Sequence, residues 1–158
     1  MTDLTHAEET AFKLRLSKAK TSLILGHPFV GSIAMNMPFE LTFDVPTAAT
    51  NGKKVMFNPD FIKGLTDEEL VFLTAHECMH PMLEHNYRRF DRSHRRWNAA
   101  ADYVINKLLV DEGIGKMPEV GLLSDDIYRD GGGTSDGIYN VLPEEDEDGG
   151  EGGDGPYG

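Results

Sequence analysis

Leu65-Thr66-Asp67-Glu68-Glu69-Leu70-Val71-Phe72-Leu73-Thr74-Ala75-His76-Glu77-Cys78-Met79-His80 is the stretch on which the fold reading turns. Its opening has the signature of a helix start. Thr66 is placed as N-cap and Glu69 at the reciprocal capping-box position, with Asp67 and Glu68 at the positive end of the helix dipole. Leu65 and Leu70 occupy the hydrophobic-staple positions, and apolar residues then carry the helix into an interior. His76-Glu77-Cys78-Met79-His80 is an H-E-x-x-H run about two and a half turns in. At about 100° per residue, positions i and i+4 share one face, so His76 and His80 can reach a single metal ion. Glu77 lies about 100° round from His76, where its carboxylate can hold a water and act as general base in hydrolysis. Two neutral imidazoles suit zinc. Cys78 falls about 200° away, which marks it as a small buried residue rather than a ligand.

Hydrolytic zinc is usually held by three protein groups. Candidates for the third are His85, Asp91, His94 and Asp102. His85 is about half a turn out of phase with His76 on a continuous helix and joins only if the helix breaks first. His94 stands in a charged stretch that reads as solvated. Asp102 is the better candidate. It sits in Trp97-Asn98-Ala99-Ala100-Ala101-Asp102-Tyr103-Val104-Ile105-Asn106-Lys107-Leu108-Leu109, a helical and mostly apolar run where an unpaired carboxylate is costly. The alternative is an aspartate on the polar edge of a surface helix, or one paired with an arginine of the 88–96 segment. Asn106, four residues on, shares the face of Asp102 and can accept a hydrogen bond from the free N–H of a ligand histidine.

With these residues in view, the chain resembles the metallopeptidase domain found in front of von Willebrand A-like domains in bacteria and phages. The resemblance rests on His76-Glu77-x-x-His80, His85, Arg88 and Trp97-Asn98-x-Ala100-x-Asp102-Tyr103-Val104-Ile105-Asn106. Pro28-Phe29-x-Gly31, Ala48, Thr50, Phe57-Asn58-Pro59-x-Phe61 and Ser135-x-x-Ile138-Tyr139-x-x-Leu142 also fit, so it spans roughly residues 10–143. The resemblance implies a zincin-like fold, Zn2+ as metal, His76, His80 and Asp102 as ligands, and Glu77 as base in a metalloendopeptidase. Two departures stand out. Pro81 directly follows the second histidine and should kink or end the helix there, which reopens a route for His85. No von Willebrand A-like domain follows in these 158 residues, so the chain is a minimal version or a piece of a longer protein.

The remaining pattern gives an α+β, mainly helical fold. It comprises a helix carrying H-E-x-x-H, a second ligand helix over 94–112 stopped by Gly113, and a small β-hairpin or sheet. A first helix over 5–25 has Thr5 and Glu8 as capping box and Gly26 as stop. Residues 27–38 read as a loop or short helix, 41–44 as a strand, 47–50 and 54–57 as a hairpin around Asn51-Gly52, and 134–142 as a short helix. The active helix should run over 66–84. In zincins an edge strand beside the site commonly holds an extended peptide, and the resemblance assigns that role to the hairpin.

Residues 1–143 read as one domain and 144–158 as an acidic, glycine-rich disordered tail. The tail carries seven acids and no base; without it the net charge of −12 becomes −5, from 20 acids and 15 bases. Arg88, Arg89, Arg92, Arg95 and Arg96 form a basic cluster that pairs with nearby acids or receives the tail. Negative charge and the absence of a recognition motif argue against nucleic acid as partner. No run approaches the ~18 apolar residues of a membrane helix, the start of the chain lacks a signal-peptide pattern, and one cysteine precludes an internal disulfide. These features place the protein in the cytoplasm of a bacterium or phage-infected cell. The partners are a peptide or protein substrate, with an ATPase or a von Willebrand A-like domain as a further partner. A zinc-stabilised, catalytically idle adaptor is the competing reading. His85, Tyr87, His94 and Tyr103 are all candidates for oxyanion donor.

Overall fold

The structure is a computed structural model that describes residues 3–82, 90, 92–119, 121 and 123–143, without the side chain of His94. Among them are seven helices and a three-stranded sheet. In chain order these are α1 (His6–Gly26), α2 (Pro28–Met35), β1 (Phe39–Leu41), β2 (Ala48–Thr50), β3 (Val55–Phe57), α3 (Pro59–Lys63) and α4 (Asp67–Met82). Then follow α5 (His94–Asp111), α6 (Asp125–Asp130) and α7 (Ser135–Val141).

Both capping boxes form as the sequence indicates. Thr5 Oγ1 accepts from Glu8 N–H at 3.1 Å while Glu8 Oε1 accepts from Thr5 N–H at 3.0 Å. Thr66 and Glu69 repeat the exchange at 3.1 and 2.9 Å. Residues 28–35 form a helix, with Pro28 in its first turn where a missing N–H costs nothing. Here α2 folds back on α1 so tightly that a Cβ at Gly31 would lie 2.5 Å from Ile24 Cα, which explains a glycine in that motif. α5 closes after Asp111 with Ile114 N–H on Leu109 O at 3.0 Å, as the glycine stop requires.

β2 and β3 pair antiparallel, Ala48 with Phe57 and Thr50 with Val55. Asn51 Oδ1 accepts from Lys53 and Lys54 N–H, so the side chain of Asn51 builds a loop across 51–54. The strand expected over 41–44 is corrected. It runs over Phe39–Leu41 and pairs parallel with β3, giving the order β1-β3-β2. Beyond Leu41 the chain turns away, because Thr42 Oγ1 takes the Asp44 N–H and ends the ladder. α3 and α6 are short helices that the hydrophobic pattern does not reveal. Their caps, Asn58 on Asp60 N–H and Ser124 on Ile127 N–H, are the local signals.

The core lies between α1, α2, α4, α5 and the inner face of the sheet. Leu16, Leu23, Phe57, Phe72, Leu73, Ile105 and Leu109 are buried there. Arg15 ties α1 to the start of α4, donating to the carbonyls of Ile62 and Leu65 at 2.8 Å each and to Asp67 at 3.1 Å. Beyond α5 the chain returns to α4: Lys116 N–H reaches Glu68 O at 3.1 Å. The C-terminal end of α5 therefore meets the N-terminal end of α4, and the two helices run antiparallel. No helix among the described residues is long and apolar enough to cross a membrane. The acidic segment 144–158, and with it the expected disorder, lies outside the described residues.

Gly115 makes the return onto α4 feasible. Its φ is +61°, and a Cβ there would lie 2.6 Å from Glu68 O and 2.7 Å from Phe72 N. Gly115→Ala should therefore cost more than the ~1–2 kcal/mol of left-handed strain alone, read as a lowered urea midpoint with unchanged slope. An unchanged midpoint would show that this return does not hold α4 in place.

Candidate metal centre

α4 is helical through Met82, so His76 and His80 stay one turn apart and in phase despite Pro81. The proline sits in the last described turn, past the histidine N–H groups. Residues 83–89 lie outside the described residues, and with them His85, Tyr87, Arg88 and Arg89. Asp91 and the side chain of His94 also lie outside, so of the four candidate third ligands only Asp102 has a described side chain.

α5 brings Asp102 against both histidines. His76 Nε2 and His80 Nε2 lie 3.0 and 3.2 Å from Asp102 Oδ1, and 3.2 Å from each other. This is the cluster of potential metal-holding groups among the described residues. Asn106, one turn after Asp102, places its Oδ1 2.8 Å from His76 Nδ1. The amide oxygen can only accept, so the imidazole proton sits on Nδ1 and the Nε2 lone pair faces Asp102 and His80. That is the tautomer a metal ligand would need.

These distances provide a test of fit. Bonds of about 2.0–2.1 Å to a tetrahedral ion separate the ligand atoms by about 3.3 Å. The three observed separations, 3.0 to 3.2 Å, are close to that edge. Proton counting leads the same way. His76 Nε2 and the Asp102 carboxylate are acceptors, and His80 Nε2 has at most one proton to share between them. A divalent cation satisfies all three, and two imidazoles with one carboxylate form a donor set for such an ion.

Burial raises the stakes. His76, Glu77, Asp102 and Asn106 are fully buried, and His80 is 5% exposed. Burial by itself pushes the Asp102 carboxyl up, but when the imidazoles are protonated on Nε2 as well as Nδ1, the charge and hydrogen bond of His76, followed by those of His80, outweigh it and hold Asp102 below the usual carboxylate value. Cys78 is the opposite case. Its thiol is buried on the far flank of α4, and desolvation, reinforced by the neighbouring Glu77 charge, pushes it up to about 12. It stays protonated and does not join the cluster.

Glu77 follows His76 on α4 and is buried on the flank next to the ligand face. β2, an outer strand of the described sheet, packs against α4. Tyr103 is half-buried beside Asp102 and is the oxyanion candidate whose side chain is described. Asn98, which sequence reasoning missed, is buried one turn before Asp102 on the same face. The i, i+4 spacing that singles out Asn106 marks Asn98 equally well.

The family described as "Putative metallopeptidase domain" matches residues 11–156, and the chain belongs to it. No curated protein and no solved structure matches the chain.

The geometry predicts uptake of one divalent ion per chain, measured by mass spectrometry of metal content. Asp102→Ala should abolish it. Asn106→Ala should weaken affinity by about 10–100-fold, the usual effect of losing a ligand's orienting partner. Full retention in Asp102→Ala would move the third ligand elsewhere.

Proposed function

We propose that this chain is a zinc-dependent endopeptidase, with His76, His80 and Asp102 as metal ligands, Glu77 as general base and Asn106 orienting His76. The observation that carries the reading is the convergence of three donor atoms at tetrahedral-edge distances beside a glutamate on the same helix. Family membership supports the same reaction class.

A bound zinc ion supplies Lewis acidity, polarising a carbonyl and lowering the pKa of water. The chain's own residues do the rest. Asn106 holds the His76 ring in the ligating tautomer. Asp102 brings negative charge to the ligand set, and its low proton affinity keeps it available. Glu77 takes the proton of the attacking water and passes it to the leaving amine, the ordinary work of a positioned carboxylate. An extended substrate pairs with the edge of β2, where main-chain hydrogen bonds give affinity without demanding a sequence. The packing of β2 against α4 supports that placement.

One observation favours a second reading. The ligand cluster and Glu77 are almost wholly shielded from solvent, as suits a metal that holds two helices together in an idle adaptor. That reading carries a partner with it, an ATPase or a von Willebrand A-like domain. Glu77 separates the two. Hydrolysis needs a carboxylate beside the ligands to take the proton of the water, whereas an adaptor needs only the ligands.

Glu77→Gln is therefore the decisive variant. On the enzyme reading it binds metal as wild type does and loses about 10²–10⁴-fold in hydrolysis of a peptide library. Equal hydrolysis by both proteins would exclude Glu77 as base. Absence of hydrolysis in metal-loaded wild type would favour the adaptor.

A further inference from the structure

The N-terminal end of α5 carries an electrostatic arrangement that the metal centre does not use. Arg95 and Arg96 stand in its first turn, no acid does, and Arg92 precedes it. Cations at the positive end of an 18-residue helix oppose its dipole. Aromatic faces hold them in place. Arg96 lies 4.2 Å from the centroid of Tyr139, and Arg92 lies 4.9 Å from Trp97 and 5.6 Å from Tyr139. Tyr139 in turn accepts the Ser93 N–H at 2.9 Å and so locks α7 to this corner. Arg92 pairs with Asp136. Arg96 has no carboxylate partner among the described residues, and its Nε is buried without a hydrogen bond. Among the described residues the surface is thus a basic patch held on aromatic faces, with Arg92 neutralised by Asp136.

The chain supplies a matching anion nearby. α7 ends at Val141, and Glu144-Glu145-Asp146-Glu147-Asp148 begins three residues later, with Glu151 and Asp154 beyond. Glu144 lies five positions after Tyr139, and a chain of that length spans at most about 18 Å. So short a tether gives the acids a high effective concentration at the patch. We propose that the acidic segment Glu144–Asp154 docks on the arginine–aromatic surface formed by Arg92, Arg96 and Tyr139, which the buried Trp97 supports from below. Each exposed ion pair contributes little, so docking depends on several acids acting together and is sensitive to salt. Docked there, the segment lies about two turns along α5 from Asp102. The proposal stands whether or not the chain hydrolyses peptides.

The test uses the full chain. A spin label on Glu151→Cys can be attached selectively, because Cys78 is buried and its thiol stays protonated. At about 0.01 M salt the label should broaden the backbone amides of 92–97 and 136–139 and spare those of β1 and β3. At about 1 M salt, where screening shortens to about 3 Å, the broadening should vanish. Arg92→Gln with Arg96→Gln should abolish it. Amide replacement of Glu144, Glu145, Asp146, Glu147 and Asp148 should do the same without touching the folded part. No broadening at low salt, or broadening that survives either set of substitutions, would overturn the proposal. Broadening that disappears when labelled chain is diluted with unlabelled chain would overturn it too, by assigning the patch to the segment of a second copy.

Discussion

A buried carboxylate between two antiparallel helices is the constraint around which this molecule is arranged. Asp102 is fully shielded and has two imidazoles at 3.0 and 3.2 Å. An isolated charge there would be prohibitive. It is tolerated because the His76 and His80 imidazoles face it, and a divalent cation would complete the arrangement. Losing either side leaves an uncompensated group in the interior, so ligand identity and helix packing are one problem rather than two.

The rest of the fold keeps that pair of helices in register. Arg15 fixes the start of α4 to α1 through two carbonyls and Asp67. Gly115 lets the chain leaving α5 come back against the first turn of α4. His76 on α4 donates a direct hydrogen bond to Asn106 on α5. The sheet contributes little mass, but it sets Phe57 into the core and places β2 beside α4. One family contains this chain over residues 11–156, and the local chemistry of α4 and α5 gives that membership a physical content.

Much of this was legible from residue spacing. H-E-x-x-H and the Asp102–Asn106 interval are helical-phase statements, and helical phase survives folding unchanged. Capping boxes at Thr5 and Thr66 are equally local, and both formed. What escaped was set by longer-range pairing. β1 starts two residues and ends three residues before the expected strand, because its register depends on a parallel partner, β3, across a gap that no local pattern encodes. The short helices α3 and α6 offer too few turns for periodicity to register, and their caps at Asn58 and Ser124 went unread. Pro81 looked disruptive in sequence, yet it falls in the final described turn, where it leaves the spacing of His76 and His80 intact.

The proposed chemistry depends on His76, His80 and Asp102 binding one ion together. X-ray absorption at the metal edge of the zinc-loaded full chain shows whether they do. Two nitrogen scatterers with imidazole multiple scattering are expected at about 2.0–2.1 Å and oxygen at about 2.0–2.2 Å, with no sulfur. A sulfur shell at about 2.3 Å, or a shell of oxygen alone, would contradict that ligand set.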